Sequence, residues 1–186
     1  MNPEQANTVD TQATRRVHGI PPDEAVVFWR LRAALSYDPD TGQFRCLTNR
    51  GTRAKIGSVA GYINGRGYRQ IAIEGRMYLA HRLAWFWMTG EWPTTYIDHV
   101  DGDPANNRWA NLREATNSQN LANSRRSRVN KSGFKGVSLS RDGKWKAQIW
   151  ADKTQHYLGL FDTKEEAHAA YCEAAKRLYG DFARVA

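Results

Sequence analysis

The chain has 186 residues, 41% of them hydrophobic, and a net charge of +8; that is enough for one ordinary domain or two small ones with real cores, and it excludes a chain disordered throughout. No apolar run approaches the roughly 20 residues needed to cross a bilayer, and the N-terminus lacks a signal-peptide core, so no membrane association is expected and the location expected is cytoplasmic. Cys46 and Cys172 belong to no CxxC pair and have no histidine at zinc-finger spacing, which leaves two reduced thiols and no zinc site.

Residues 1–20 are polar and are expected to form a disordered tail. Pro21-Pro22-Asp23-Glu24 reads as a helix start, with Val26, Val27, Trp29, Leu31 and Leu35 as its apolar surface up to about Ser36. Tyr37 to Gly42 reads as a turn. Short runs punctuated by glycine follow at Phe44 to Leu47, Gly57 to Ile63, Tyr68 to Ile73 and Met77 to Leu79, the pattern of a small antiparallel sheet. Ala80 to Thr89 carries large apolar groups and is stopped by Gly90 and Pro93, which predicts a buried helix. Asn111 to about Asn123 has helical composition in its middle, with Leu112, Ala115 and Leu121 on one face.

Residues 125–132 form a basic linker. Between Leu121 and Trp150 lie Arg125, Arg126, Arg128, Lys131, Lys135, Arg141, Lys144 and Lys146 against Asp142 alone, a concentration of positive potential that suits a polyanion such as nucleic acid. Three strand signals follow, Lys135 to Leu139, Lys144 to Trp150 and His156 to Phe161. The last element is an alanine-rich helix with Thr163 as its N-cap, ending near Tyr179 before Gly180. The fold class expected is α+β, with a larger unit over residues 21–124 and a second unit of three antiparallel strands and one helix over 133–186.

The chemistry concentrates in Asp98-His99-Val100-Asp101-Gly102-Asp103-Pro104, followed by Asn106-Asn107, Asn111-Leu112 and Asn120. Hydrolysis of a phosphodiester near neutral pH needs a deprotonated water, a cation against the phosphate and help for the leaving oxygen. His99 can take the proton, because an imidazole is largely neutral at pH 7. Asp98 and Asn120 can hold a hard divalent cation, Mg²⁺ first and Mn²⁺ second, through oxygen. Asn111 is placed to hydrogen-bond across the loop and fix the histidine, whereas Asn106 and Asn107 read as turn and cap residues. Neighbours on a strand point to opposite faces, so the site must bend at the Asp101 to Pro104 turn.

These residues, with Arg113 and Ser118-Gln119 between them, resemble the HNH endonucleases, in the phage and intron-associated homing subgroup where asparagine replaces the last histidine. The resemblance implies a ββα-metal motif that cuts or nicks DNA in a bacterial or phage-infected cell, with Asp98 and Asn120 as metal ligands, His99 as general base and Asn111 as the central asparagine. The helix His81-Arg82-Leu83-Ala84-Trp85 also recurs in that subgroup, with core packing or a phosphate contact open for His81.

Ser132-Gly133-Phe134-Lys135-Gly136-Val137, Lys144 to Ile149, Tyr157 to Thr163 and Glu166 to Tyr171 resemble an AP2 DNA-binding domain. That resemblance implies a three-stranded sheet lying in the major groove. Period-2 alternation puts Lys144, Lys146, Gln148 and Trp150 on one face, with Trp145, Ala147 and Ile149 toward the helix. Lys is suited to phosphates and Gln to adenine. Arg141, with the linker's Arg125, Arg126 and Arg128, extends the expected contact to DNA. Ser138, Ser140 and Gln155 stand where plant members carry arginine, so base preference does not transfer. The expected protein is a metal-dependent endonuclease on duplex DNA, a monomer or weak homodimer; the competing reading is a non-catalytic DNA-binding regulator on a nuclease-like scaffold.

Overall fold

The computed structural model describes residues 22–52, 54–127 and 129–185, with side chains from Phe28 onward. The tail expected over residues 1–20, the apolar role expected for Val26 and Val27, and Arg128 lie outside the described residues or side chains. The fold is α+β.

Helix α1 (Pro22–Ala34) begins on proline, whose fixed φ suits the first helical turn. It buries Phe28 and Leu31 and turns Trp29 outward at 48% exposure, so Trp29 is not part of the buried face. The helix stops before Ser36, because Leu35 already belongs to strand β1 (Leu35–Asp38), paired antiparallel with β2 (Gln43–Cys46) from Leu35↔Cys46 to Asp38↔Gln43. Leu35 and Tyr37 point inward beside Phe44 and Cys46, and this alternation across the hairpin favours a strand over the expected turn at Tyr37. The turn is tighter and later: the Asp38 carboxylate accepts from the Asp40 and Thr41 N–H groups, and Gly42 adopts φ +71°.

The expected strand Gly57 to Ile63 shrinks to a bridge at Val59 and to β3 (Tyr62–Ile63), because Gly61 at φ +78° breaks the extended run. Strands β4 (Arg69–Ile73) and β5 (Arg76–Leu79) complete a three-stranded sheet in the order β3-β4-β5. Helix α2 (Ala80–Thr89) ends at a left-handed Gly90 and buries Leu83, Ala84 and Phe86 at the centre of a core running from Phe28 to Leu112.

Strand β6 (Tyr96–His99) pairs with β7 (Leu112–Ala115), and α3 (Asn117–Asn123) follows. The helix expected from Asn111 therefore starts six residues later. Leu112 and Ala115 are buried as strand residues, and the helix begins only where the Thr116 hydroxyl accepts from the Gln119 N–H and the Gln119 side chain returns the bond to Thr116.

The C-terminal unit has β8 (Val137–Leu139), β9 (Trp145–Ala151) and β10 (Thr154–Phe161) in one antiparallel sheet, β9 central, with α4 (Lys164–Tyr179) behind it. Ala167, Ala174 and Ala175 bring the helix backbone close to the sheet, with Tyr171 filling the remaining space. The two units are docked rather than merely tethered. The Lys135 ammonium donates to the carbonyls of Leu121, Ala122 and Ser124 at the end of α3, where a cation complements the helix dipole. Burial, then the neighbouring Arg184, lowers Lys135 to about 8. The Arg184 guanidinium donates to the Asp101 carbonyl at 2.9 Å, and the Ser118 and Tyr179 hydroxyls meet at 3.1 Å. Among the described residues no helix is long and apolar enough to cross a membrane.

Candidate active site

A cleft of about 710 Å³ opens between the β3-β4 hairpin, the start of α2, strand β6 and helix α3. Asp98, His99 and Asn120 all line it, so the fold brings together three residues that the sequence singled out. Arg66, Arg82 and Arg125 line it as well, and Asp98 is its one acidic lining residue among those described.

Asp98 faces Arg113 directly across the β6-β7 pair. The Arg113 Nε donates to Asp98 Oδ2 at 2.9 Å, and Nη2 lies 2.9 Å from the same oxygen. From the other side, Asn123 Nδ2 sits 2.9 Å from both carboxylate oxygens and 2.6 Å from the His99 carbonyl. One carboxamide thus ties α3 to both members of the Asp98-His99 pair. Asn120 and Asn123 are three apart on one helical face, which is why both line the cleft beside β6. The sequence reading missed Asn123, although its spacing from Asn120 was a usable signal.

His99 is buried, and its Nε2 lies 3.2 Å from Asn107 Oδ1. The Asn107 Nδ2 donates to the Ala105 carbonyl at 3.1 Å, which leaves Oδ1 as the group facing the ring. An oxygen acceptor at Nε2 selects the tautomer with the proton there and the lone pair on Nδ1. Asn107 therefore holds the histidine, a task the sequence assigned to Asn111. The Asn111 amide instead donates to Asp101 Oδ1 at 3.0 Å and to the Asn106 carbonyl at 2.8 Å, and its Oδ1 accepts from the Asp101 N–H. It staples the loop that carries Asn107. Burial works against ionisation of Asp101, but bonds from the Asp103 N–H and the Asn106 and Asn111 amides outweigh it and hold the carboxyl below its ordinary range.

Asn107 is only 2% exposed, which no turn signature reveals. Its carbonyl accepts from the Tyr37 hydroxyl at 2.7 Å. A Cβ on Gly42 would fall 2.3 Å from the Asn107 carbonyl carbon and the Arg108 nitrogen, so glycine lets the β1-β2 turn press on this loop. The N-terminal hairpin thereby supports the histidine through Asn107.

His81 also reaches the cleft. Its ring stands edge-on to His99 with centroids 5.0 Å apart and lies 5.4 Å from Tyr68. Burial, then His99 and Arg82, lowers its imidazole to about 3, so it is neutral near pH 7.

The donor set fits a hard cation. Among the described residues Asp98 Oδ1 accepts only from Asn123, so acceptor capacity remains. The Asn120 side chain has no hydrogen-bond partner among the described residues and lines the same cleft. One carboxylate and one amide oxygen suit a cation that keeps most of its waters; among the described residues no three His, Cys, Asp or Glu side chains group to hold a metal by themselves.

The expected DNA contacts divide into two groups. Arg125 lies on the cleft, and the exposed Arg126 donates to the Asn130 carbonyl. On β9, Lys146, Gln148 and the 60% exposed Trp150 alternate with the buried Ala147, Ile149 and Ala151. Arg141 is exposed in the β8-β9 turn, and Lys144 is paired with Asp162 at 3.2 Å.

A family model described as HNH endonuclease matches residues 78–122, and one described as AP2 domain matches 132–181. The chain is 37% identical over 90 residues to "Protein 3.8" of Escherichia phage T7, covering 48% of this chain and 74% of that protein. It is 32% identical over 123 residues to "Uncharacterized HNH endonuclease L560" of Acanthamoeba polyphaga mimivirus, covering 66% of this chain and 64% of that one. It is 46% identical over 54 residues to "Ethylene-responsive transcription factor ERF084" of Arabidopsis thaliana, covering 28% of this chain and 21% of the plant protein.

Proposed function

Because this chain belongs to the HNH endonuclease family and ends in an AP2 domain, we propose that it is a metal-dependent endonuclease of the homing type that nicks or cuts duplex DNA at sites its C-terminal sheet helps to select. The observation that carries this reading is the meeting of Asp98, His99 and Asn120 in one arginine-rimmed cleft.

His99, with Nε2–H donated to Asn107, offers the Nδ1 lone pair to a water and takes its proton. Asp98 and Asn120 are the residues that would hold a divalent cation, Mg²⁺ or Mn²⁺. The chemistry such a cation would supply there is neutralisation of the negative charge on the phosphate and the leaving oxygen. Arg66 and Arg125 draw the DNA backbone to the cleft. A single site of this kind nicks one strand per engagement, so cutting both strands calls for two copies or two events. Relatives from a phage and a virus support action inside an infected cell.

The test is supercoiled plasmid and genomic DNA incubated with Mg²⁺ or Mn²⁺ against EDTA. Nicked or linear products are expected only with the metal. Tight DNA binding without products in either metal would favour the second reading, a non-catalytic regulator, for which the engagement of both Asp98 oxygens by protein donors is the supporting observation.

On the C-terminal sheet, Lys146→Ala is expected to weaken binding to all duplexes alike and to lower the slope of log K against log salt by about 1. Lys144→Ala is expected to do less, since Asp162 already offsets that charge. Gln148→Ala is expected to relax preference at one base pair by about tenfold. Binding isotherms over a salt series, on two unrelated duplexes, distinguish the phosphate contact from the base contact.

A further inference from the structure

We infer that His81 is a second catalytic histidine, which donates a ring N–H to a non-bridging oxygen of the scissile phosphate while His99 handles the water. The inference rests on the nuclease reading above and assigns a role to a residue outside the Asp98 to Asn120 segment.

His81 is only 5% exposed, yet no described protein group hydrogen-bonds its ring. A buried polar group without a partner loses its hydration with no return, so such groups are rare unless a bound species completes them. Neither ring nitrogen is sealed inside the protein, since among the described residues the fully occluded side-chain polar atom lacking a hydrogen bond is Arg113 Nη2. The unmet nitrogen of His81 therefore opens into the cleft it lines.

What it meets there follows from charge and position. The cleft carries three arginines against Asp98, which selects an anion. Arg82 is tied to the Pro93 and Thr95 carbonyls, so it shapes the wall, while Arg66 and Arg125 remain for the flanking backbone. His81 stands edge-on to His99 at 5.0 Å, close enough for one imidazole to serve the attacking water and the other the phosphate it attacks. Tyr68 packs against both rings at 5.4 and 6.1 Å and fixes their relation. A neutral imidazole donates to the anion without adding a second positive charge beside His99 or the cation.

The experiment uses full-length protein and a cleaved duplex whose scissile phosphate is replaced, one diastereomer at a time, by a phosphorothioate. On the normal phosphate, His81→Ala is expected to lower the single-turnover rate about 10²-fold, the usual effect of removing one donor from a developing oxyanion. His81→Gln, which keeps an N–H donor, is expected to recover part of that loss. On one diastereomer the penalty of His81→Ala should shrink to a few-fold, because sulfur is a poor acceptor and the wild type has already lost the bond. An equal penalty on oxygen and on both sulfur substrates would overturn the inference.

A second measurement does not depend on cutting: the His81 ring nitrogen signals are followed by NMR in the His99→Ala protein as a short duplex is added. A shift is expected, and its absence would overturn the inference. Failure of the wild type to cut any DNA would instead overturn the nuclease reading, so the two failures are told apart.

Discussion

His99→Ala is expected to lower the rate of plasmid cleavage by about 10³-fold, within the range that general-base catalysis contributes, while duplex affinity stays within a few-fold of wild type. Affinity is expected to survive because the proposed reading assigns phosphate contacts to Arg66 and Arg125 on the cleft rim and to the C-terminal sheet rather than to the imidazole. The informative companion is Asn107→Ala. It leaves Nε2 without its acceptor, frees the ring to rotate and equalises the two tautomers, so a loss of about 10²-fold is expected. Asn111→Ala is expected to act differently, since its amide reaches the Asp101 to Asn106 loop and not the ring. Its loss of activity should track loss of thermal stability, whereas that of Asn107→Ala should exceed it. Single-turnover rates beside melting temperatures check both. A His99→Ala protein that cuts as fast as wild type would end the assignment of the base.

Arg113→Ala is expected to destabilise the folded chain by about 3 kcal/mol, the usual consequence of removing one partner from a buried ion pair, and to lower Tm by about 10 °C. The Asp98 carboxylate has only 5% side-chain exposure, and without Arg113 it keeps the Asn123 amide alone. Arg113 carries a second load as well. Its guanidinium lies 3.7 Å from the centre of the Phe182 ring and donates to the Asp181 carbonyl, so the last turn of the C-terminal unit is clamped onto the residue that orients Asp98. Arg113→Lys should recover little, because an ammonium cannot serve a carboxylate, a carbonyl and an aromatic face in one plane. The check is thermal unfolding of Arg113→Ala, Asp98→Asn and the double variant. The double variant should be more stable than the sum of the single losses by at least about 1 kcal/mol; strict additivity would show that the pair contributes nothing.

The segment from Asp98 to Asn120 was legible because its polar residues recur at short, fixed separations, and the C-terminal unit because the alternation along Lys144 to Trp150 predicts which residues pack on α4. Leu112 to Ala115 misled because four residues after an asparagine carry no period of their own; pairing with Tyr96–His99 decides that they are a strand. The same limit applies to Tyr37, a turn residue by its neighbours and a strand residue by virtue of Phe44 opposite.

Sequence by itself determined the two units, the α+β class and the basic charge, and it singled out Asp98, His99 and Asn120 as the candidates that one cleft brings together, all of which are local in the chain or additive over it. Tertiary structure decided that Asn107 rather than Asn111 holds the imidazole, that Asn123 and Arg113 grip the carboxylate, and that His81 and Tyr68 share the cleft. Those contacts join positions 8 to 25 residues apart, from Asn107 on His99 to Asn123 on Asp98, or arrive from another sheet and helix. A carboxamide or an imidazole has the same composition whether it lies in water or in a core; only the packing of β6 between α2, α3 and the hairpins decides which groups each of them meets.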